Sequence, residues 1–191
     1  MMKEYIGHVK WFFLEQIDGI YFGDIIVAIF IAAGITFLPG YVLLIKNKTT
    51  IRKLMLSFIT LLYAEVMLII TIFRRSIGSG LPTIHFYVDL GFTRHGIYSE
   101  MQTVYSVFNF FLFFFWGIII GMHRRLQGIL KIVFMTTLLG FISSFIIETL
   151  QFITKRGTFE LTDLITNVTG AFCGAILVAI AETIYTRMNK K

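Results

Sequence analysis

Hydrophobic positions along the chain form five long runs, separated by short basic or polar segments. The runs are Ile25–Leu44, Leu54–Phe73, Val104–Gly121, Leu130–Ile153 and Leu161–Ile184. A bilayer core about 30 Å thick needs about 20 helical residues at 1.5 Å each, and each run comes close to that length. The runs are continuously apolar, without the alternation that a barrel strand requires. The pattern therefore predicts an all-α membrane bundle of about five transmembrane helices.

The first 24 residues have a different pattern. Charged and amide side chains are interspersed among large apolar ones between Tyr5 and Gly23. Such a segment is typical of an amphipathic helix that lies in the membrane interface, with Trp11 and Tyr21 at the depth of the lipid headgroups. The chain thus divides into an interfacial helix over residues 1–24 and a transmembrane domain over residues 25–191.

The longest connection between the runs is Arg74–Thr103. Gly78-Ser79-Gly80 and Pro82 break helices, and the short apolar run Ile84–Val88 is suited to dip into the interface. Long connections in compact domains are often functional, so this segment is either a substrate-contacting loop or a plain linker.

Composition and charge narrow the function classes. The 191 residues are 57% hydrophobic and only 15% charged, which excludes a soluble domain and a disordered chain. The single cysteine, Cys173, allows no internal disulfide. The net charge of +6 comes from Lys and Arg that flank the apolar runs rather than follow one polar face, so no nucleic-acid partner is expected.

The positions of the basic residues predict the orientation. Ten of the 17 Lys and Arg residues lie on the side that carries the C-terminal tail, and seven lie on the side of Arg74–Thr103. Because positive residues tend to remain in the cytoplasm, we expect a multi-pass membrane protein with a cytoplasmic C-terminus and an outer loop at residues 74–103.

Polar side chains inside the runs are the candidate functional residues, since an ionisable group in lipid costs at least about 2.5–3.5 kcal/mol unless it is partnered. Ser144, Glu148 and Gln151 share one face of the fourth helix, and Asp163 and Asn167 share a face of the fifth. A short connection makes these helices antiparallel neighbours, so their polar residues meet at one depth. The expected binding residues are Arg74, Asn109, Ser144, Glu148, Gln151, Arg156, Asp163 and Asn167.

Two interpretations of this polar cluster remain open. It could hold the helices together through interhelical hydrogen bonds and an ion pair. It could instead bind a polar headgroup or peptide, with an arginine clamping an anion and the carboxylates orienting the ligand. No compact metal-ligand spacing is present, so we expect neither a metal nor a cofactor. Gly170 and Gly174 form a small-xxx-small pattern that favours close helix packing.

Glu65 lies near the middle of the second run, with no cation within one helical turn. It is either protonated and hydrogen-bonded to a neighbour such as Tyr63, or part of a proton relay. The sequence does not distinguish the two.

The polar spacings resemble a known family. The spacings are Ser144-x3-Glu148-x2-Gln151-x4-Arg156, then Asp163-x3-Asn167-x2-Gly170-Ala171-x2-Gly174, preceded by Asn109-x3-Phe113-x3-Gly117. They look like the signature of the VanZ-like family of bacterial membrane proteins. Phe115 stands where that family usually has a proline, and Leu81–Phe86 matches its corresponding stretch poorly.

The resemblance implies a membrane protein that contributes to resistance against teicoplanin-type lipoglycopeptides, mostly in Gram-positive bacteria. Three functions follow as hypotheses. The first is binding of a cell-envelope lipid, a lipid-linked cell-wall precursor or a drug headgroup at the outer leaflet. The second is an intramembrane hydrolase or transferase that acts on a lipid-linked envelope substrate, with Glu148 or Asp163 as general base. The third is a small transporter, although the chain has no paired inverted repeat. The oligomeric state is not predicted.

Overall fold

The computed structural model of the chain describes residues 2–80, 83–91, 97–124 and 127–189. Within them the chain forms six α-helices and two very short strands. The elements are α1 (Met2–Ile17), α2 (Phe22–Ile45), α3 (Ile51–Leu68), a π-helical turn (Ile69–Phe73), β1 (Ile84–His85), α4 (Ile97–His123), α5 (Ile129–Ile153), β2 (Phe159–Glu160) and α6 (Leu161–Met188). Helices α2 to α6, with α3 continued by its π turn, are long and apolar enough to cross a membrane. The predicted all-α polytopic bundle is confirmed.

Helix α4 begins earlier than the hydrophobic pattern predicts. It starts at Ile97, so the last seven residues of the predicted connection Arg74–Thr103 are helical. The added turns are stabilised by contacts outside the apolar run, because Glu100 accepts a hydrogen bond of 2.8 Å from Nδ1 of His8 on α1. Pro82, a helix breaker in the sequence, falls outside the described residues.

Helix α4 packs most extensively against α6, and small residues permit the close approach. A side chain at Gly170 or Gly174 would collide with the carbonyl oxygen of Phe110 or Phe114 on α4. Helix α5 also packs against α6, and Gly140 of α5 faces Ala171 there. The small-xxx-small pattern therefore serves helix packing, as the sequence predicts.

Helix α1 lies against α4 rather than crossing the bundle. Phe12 is buried, and its ring meets that of Tyr105 edge to face at 6.4 Å between centroids. The other large apolar residues of its last two turns are exposed, Trp11 at 59%. The N-terminal helix is thus present, and it is not among the candidate spans.

The long connection before α4 pairs with the connection between α5 and α6. Ile84 and His85 run parallel to Phe159 and Glu160, and the Phe159 amide donates to the Thr83 carbonyl oxygen at 3.1 Å. The Gly80 amide also donates to the Lys155 carbonyl oxygen at 2.8 Å. The expected apolar dip Ile84–Val88 therefore begins as a strand, and the two connections form one cap over an end of the bundle.

We predict that Gly174→Ala destabilises the bundle by about 1–3 kcal/mol, because the added methyl group must push α4 away from α6. The measurement is thermal unfolding of the purified protein in detergent, followed by circular dichroism. Gly34→Ala on α2 is the matched control, since its added methyl group meets no atom within 4 Å. Equal melting temperatures for the two variants would contradict the packing role.

Candidate functional site

Helices α5 and α6 form the antiparallel hairpin that the sequence predicts, and their polar faces meet. Asn167 donates through Nδ2 to Oγ of Ser144 at 2.9 Å. At the tip of the hairpin, the Glu160 amide donates to Oε2 of Glu148 at 3.1 Å. Ser144, Glu148 and Asn167 are all buried, with Glu148 only 2% exposed.

A cavity of about 260 Å³ lies beside this hairpin, bounded also by α1, by α3 with its π turn, and by α4. Five of the eight predicted binding residues line it, and they are Asn109, Glu148, Gln151, Asp163 and Asn167. Ser144 does not line the cavity, but its hydroxyl oxygen accepts a hydrogen bond from Asn167, which does. The cavity therefore gathers polar groups from three helices at one depth, as the antiparallel geometry requires.

The cation that lines the cavity is Arg75, a residue missed in the sequence-based selection of binding residues. Its Nη1 donates to the Arg156 carbonyl oxygen at 3.2 Å, which anchors it beneath the cap. Among the described residues, Arg75 is the cation whose charge acts on both Glu148 and Asp163. The sequence contained one signal that favours Arg75 over Arg74. Thr71 is a polar residue in the same run, it precedes Arg75 by four residues, or about one helical turn, and both residues line the cavity.

The π-helical turn ends directly before the two adjacent arginines and changes the backbone hydrogen bonds there. The Arg74 amide donates to the Ile69 carbonyl oxygen, five residues earlier, whereas an α-helical amide donates to the residue four positions earlier. The Thr71 carbonyl oxygen accepts from Nε2 of Gln151 at 3.0 Å, so a cavity residue bonds directly to the displaced backbone. Such turns occur frequently at functional sites.

Arg74, which the sequence selects as a binding residue, does not line the cavity. Its guanidinium donates to the Glu15 carbonyl oxygen at 2.8 Å and to Oε1 of Gln16 at 2.9 Å. Burial lowers the pKa of Arg74 from its ordinary value, and the positive charge of Arg75 lowers it further. Arg74 therefore fastens α1 to the bundle, since one residue along a helix rotates the side chain by about 100° away from Arg75.

Arg156, the other predicted arginine, also lies outside the cavity lining. Its guanidinium lies 5.5 Å from the Phe73 ring centroid, and its Nη1 donates to the Ile72 carbonyl oxygen at 3.4 Å. These contacts tie the hairpin tip to the end of the π turn. The side chain closes the bundle beside the cavity, while its backbone oxygen holds Arg75.

The cavity combines a polar end with apolar walls. Asn109 lies within hydrogen-bonding reach of the Asp163 carboxyl group. Large apolar residues also line the cavity, and they are Ile17, Ile70, Phe108, Phe111, Leu112, Phe115 and Ile147. Phe111 and Phe115 are each half exposed at the outer surface of α4. The cavity can therefore receive a molecule that is polar at one end and apolar at the other.

Two further features lie apart from this cavity. Glu65 lines a separate cavity of about 390 Å³ between α2 and α3, and the Tyr63 hydroxyl bonds to the Leu112 carbonyl oxygen rather than to Glu65. Among the described residues, no three His, Cys, Asp or Glu side chains are placed to hold a metal ion.

Comparison with known proteins gives one match. The family model described as VanZ/LLP1 matches residues 25–182, which comprise α3 to α5 and most of α2 and α6. Searches of curated proteins and of solved structures found no significant match. The matched range contains every residue that lines the cavity except Gln16 and Ile17, which α1 contributes.

Together with the five helices that are long and apolar enough to cross a membrane, this match shows that the chain is a multi-pass membrane protein of the VanZ/LLP1 family.

Proposed function

We propose that the cavity binds the headgroup of a cell-envelope lipid, including a lipid-linked cell-wall precursor, at the outer leaflet. The single observation that carries the proposal is the coexistence of two carboxyl groups, an arginine and four amides with an apolar wall in one cavity. Several of these groups are already hydrogen-bonded within the protein, as Gln151 is to Thr71 and Asn167 is to Ser144. Packing alone does not require the open volume of about 260 Å³ between them, and this volume supports a ligand.

The size of the cavity favours a lipid headgroup over a whole drug molecule. Small-molecule pockets typically measure roughly 300–1,000 Å³, and this cavity is slightly smaller. A whole lipoglycopeptide would not fit, and only one of its substituents could enter the cavity. The apolar wall that ends at Phe111 and Phe115 suits the first part of a lipid chain. Family membership supports a contribution to teicoplanin-type resistance, which the bound lipid would provide by altering drug access to its target.

We also propose that α1 lies in the interface on the outer side and that the C-terminus is cytoplasmic. Trp11 and Tyr21 are exposed, at 59% and 73%, as expected for side chains at headgroup depth. The excess of basic residues on the C-terminal side supports this orientation. It places the cap and the polar end of the cavity toward the outside of the cell.

The orientation predicts that Ser79→Cys reacts with a membrane-impermeant maleimide added to intact cells, because Ser79 is an exposed residue of the cap side. Lys48→Cys, exposed between α2 and α3, is expected to react only after the cells are opened. Both variants are made with Cys173→Ala, which removes the one native thiol. Labelling of Lys48→Cys but not of Ser79→Cys in intact cells would reverse the proposed orientation.

The binding role predicts that Glu148→Gln abolishes protection against teicoplanin in a susceptible Gram-positive host that expresses the protein. Loss of a hydrogen bond to a charged group costs about 1.5–3 kcal/mol, or roughly 10- to 150-fold in affinity. The measurement is the minimal inhibitory concentration, at equal membrane levels of each variant. Glu182→Gln is the matched control, because it makes the same change on α6 about 28 Å along the helix from Asp163. Unchanged protection by Glu148→Gln would refute the role.

An intramembrane hydrolase or transferase is the second candidate, favoured by the two carboxylates that face one cavity. In that function Glu148 or Asp163 would act as general base on water or on a hydroxyl group. If the protein turns over substrate, cells that express it should contain an envelope lipid or precursor product that is missing with Asp163→Asn. Mass spectrometry of extracted lipids and precursors makes the comparison. Identical profiles for the active protein, Glu148→Gln and Asp163→Asn would exclude turnover that depends on either carboxyl group.

A further inference from the structure

We infer that the cavity selects a lipid headgroup that carries a primary ammonium group. This inference rests on the proposed function and specifies its ligand. It follows from two independent features of the cavity, which are an excess of carboxyl groups over cations in its lining and a buried acceptor without a donor. A purely anionic headgroup would match neither feature.

Carboxyl groups outnumber cations in the lining of the cavity. Glu148 and Asp163 line it, and the opposing cation among the described lining residues is Arg75. Arg75 is also shared, because its Nη1 donates to the Arg156 carbonyl oxygen. A second cation supplied by the ligand would pair with these carboxyl groups in their ionised form, where water is scarce.

Arg156 does not supply that second cation. Its guanidinium lies over the Phe73 ring and donates to the Ile72 carbonyl oxygen, outside the cavity lining. Arg74 likewise points to α1 and bonds to Glu15 and Gln16. The cavity is left with one guanidinium, which suits a phosphate, facing two carboxylates, which suit an amine.

A buried acceptor adds the second observation. Asn167 lines the cavity and is only 3% exposed, and its Oδ1 has no hydrogen-bond partner among the described residues. Its Nδ2 is already used, since it donates to Oγ of Ser144. A buried acceptor without a donor is unfavourable, because it has lost its hydrogen bonds to water. A primary ammonium carries three donors, enough for Glu148, Asp163 and Asn167 together.

The apolar wall indicates that the ammonium belongs to a lipid rather than to a soluble amine. Phe111 and Phe115 line the cavity and are each half exposed at the outer surface of α4. A chain attached to the headgroup would leave the cavity along these rings, whereas a soluble amine would leave them uncovered. The expected ligand class is therefore an aminophospholipid, with its phosphate near Arg75.

The test measures lipid retention by the full chain purified in detergent. The protein is incubated with equal amounts of phosphatidylethanolamine, phosphatidylcholine and phosphatidylglycerol with identical acyl chains, and the bound lipids are quantified by native mass spectrometry. A fourth arm adds soluble glycerophosphoethanolamine as a competitor. We expect phosphatidylethanolamine to be retained at least tenfold over each of the other lipids. We also expect this preference to be lost in Glu148→Gln and kept in Glu182→Gln.

Other results would distinguish an error in the ammonium preference from an error in the proposed function. Equal retention of the three lipids, abolished by Glu148→Gln, would overturn the ammonium preference and leave headgroup binding intact. A preference for phosphatidylcholine would also overturn it, because a trimethylated amine has no N–H donor and would be held by aromatic rings. Competition by the soluble headgroup at the same concentration as the lipid would overturn the lipid assignment. No retention beyond that of Glu148→Gln would refute both the ammonium preference and the proposed function.

Discussion

Two carboxyl groups that lie inside a membrane bundle near one end constrain the rest of this structure. Glu148 is buried and Asp163 is partly buried. An ionisable group in lipid costs several kcal/mol unless other groups surround it, so Glu148 and Asp163 require partners from every neighbouring element. The Glu160 amide, the Asn109 side chain and the Arg75 guanidinium supply them. These partners come from the hairpin tip, from α4 and from the end of the π turn. The hairpin tip, α4 and the end of the π turn must therefore all meet at Glu148 and Asp163.

The close contact between α4 and α6 is what brings Asn109 near Asp163. Glycines at positions 170 and 174 allow the α4 backbone to approach α6 without a side chain between them. Gly170 lies only three residues beyond Asn167, so the packing seam and the polar site occupy adjacent turns of one helix. Packing and polarity are therefore not alternative interpretations of α6. The glycines position the helices, and the polar residues one turn away face the space that remains.

The two adjacent arginines that follow α3 have different partners. Arg74 fastens α1 and Arg75 lines the cavity, since neighbouring residues of a helix point about 100° apart. The altered hydrogen bonding of the π turn leaves the Thr71 carbonyl oxygen to accept from Gln151, which links α3 to α5 through the site. The cap formed by β1 and β2 covers this junction, and Arg156 closes it from the side. A ligand would therefore reach the polar end by way of the apolar wall of α4.

The sequence by itself determined the five spanning helices, the antiparallel α5–α6 hairpin and five of the cavity residues. Those features depend on hydrophobic length and on spacings of three and four residues within a helix, which are local properties of the chain. The tertiary structure decided which arginine enters the cavity, because α1 holds Arg74 through Glu15 and Gln16 while Arg75 lines the cavity. It also decided that the long connection pairs with the hairpin tip, and that α4 extends to meet α1. These outcomes depend on contacts between residues about 60 to 90 positions apart, and the hydrophobic pattern of one segment carries no information about such partners.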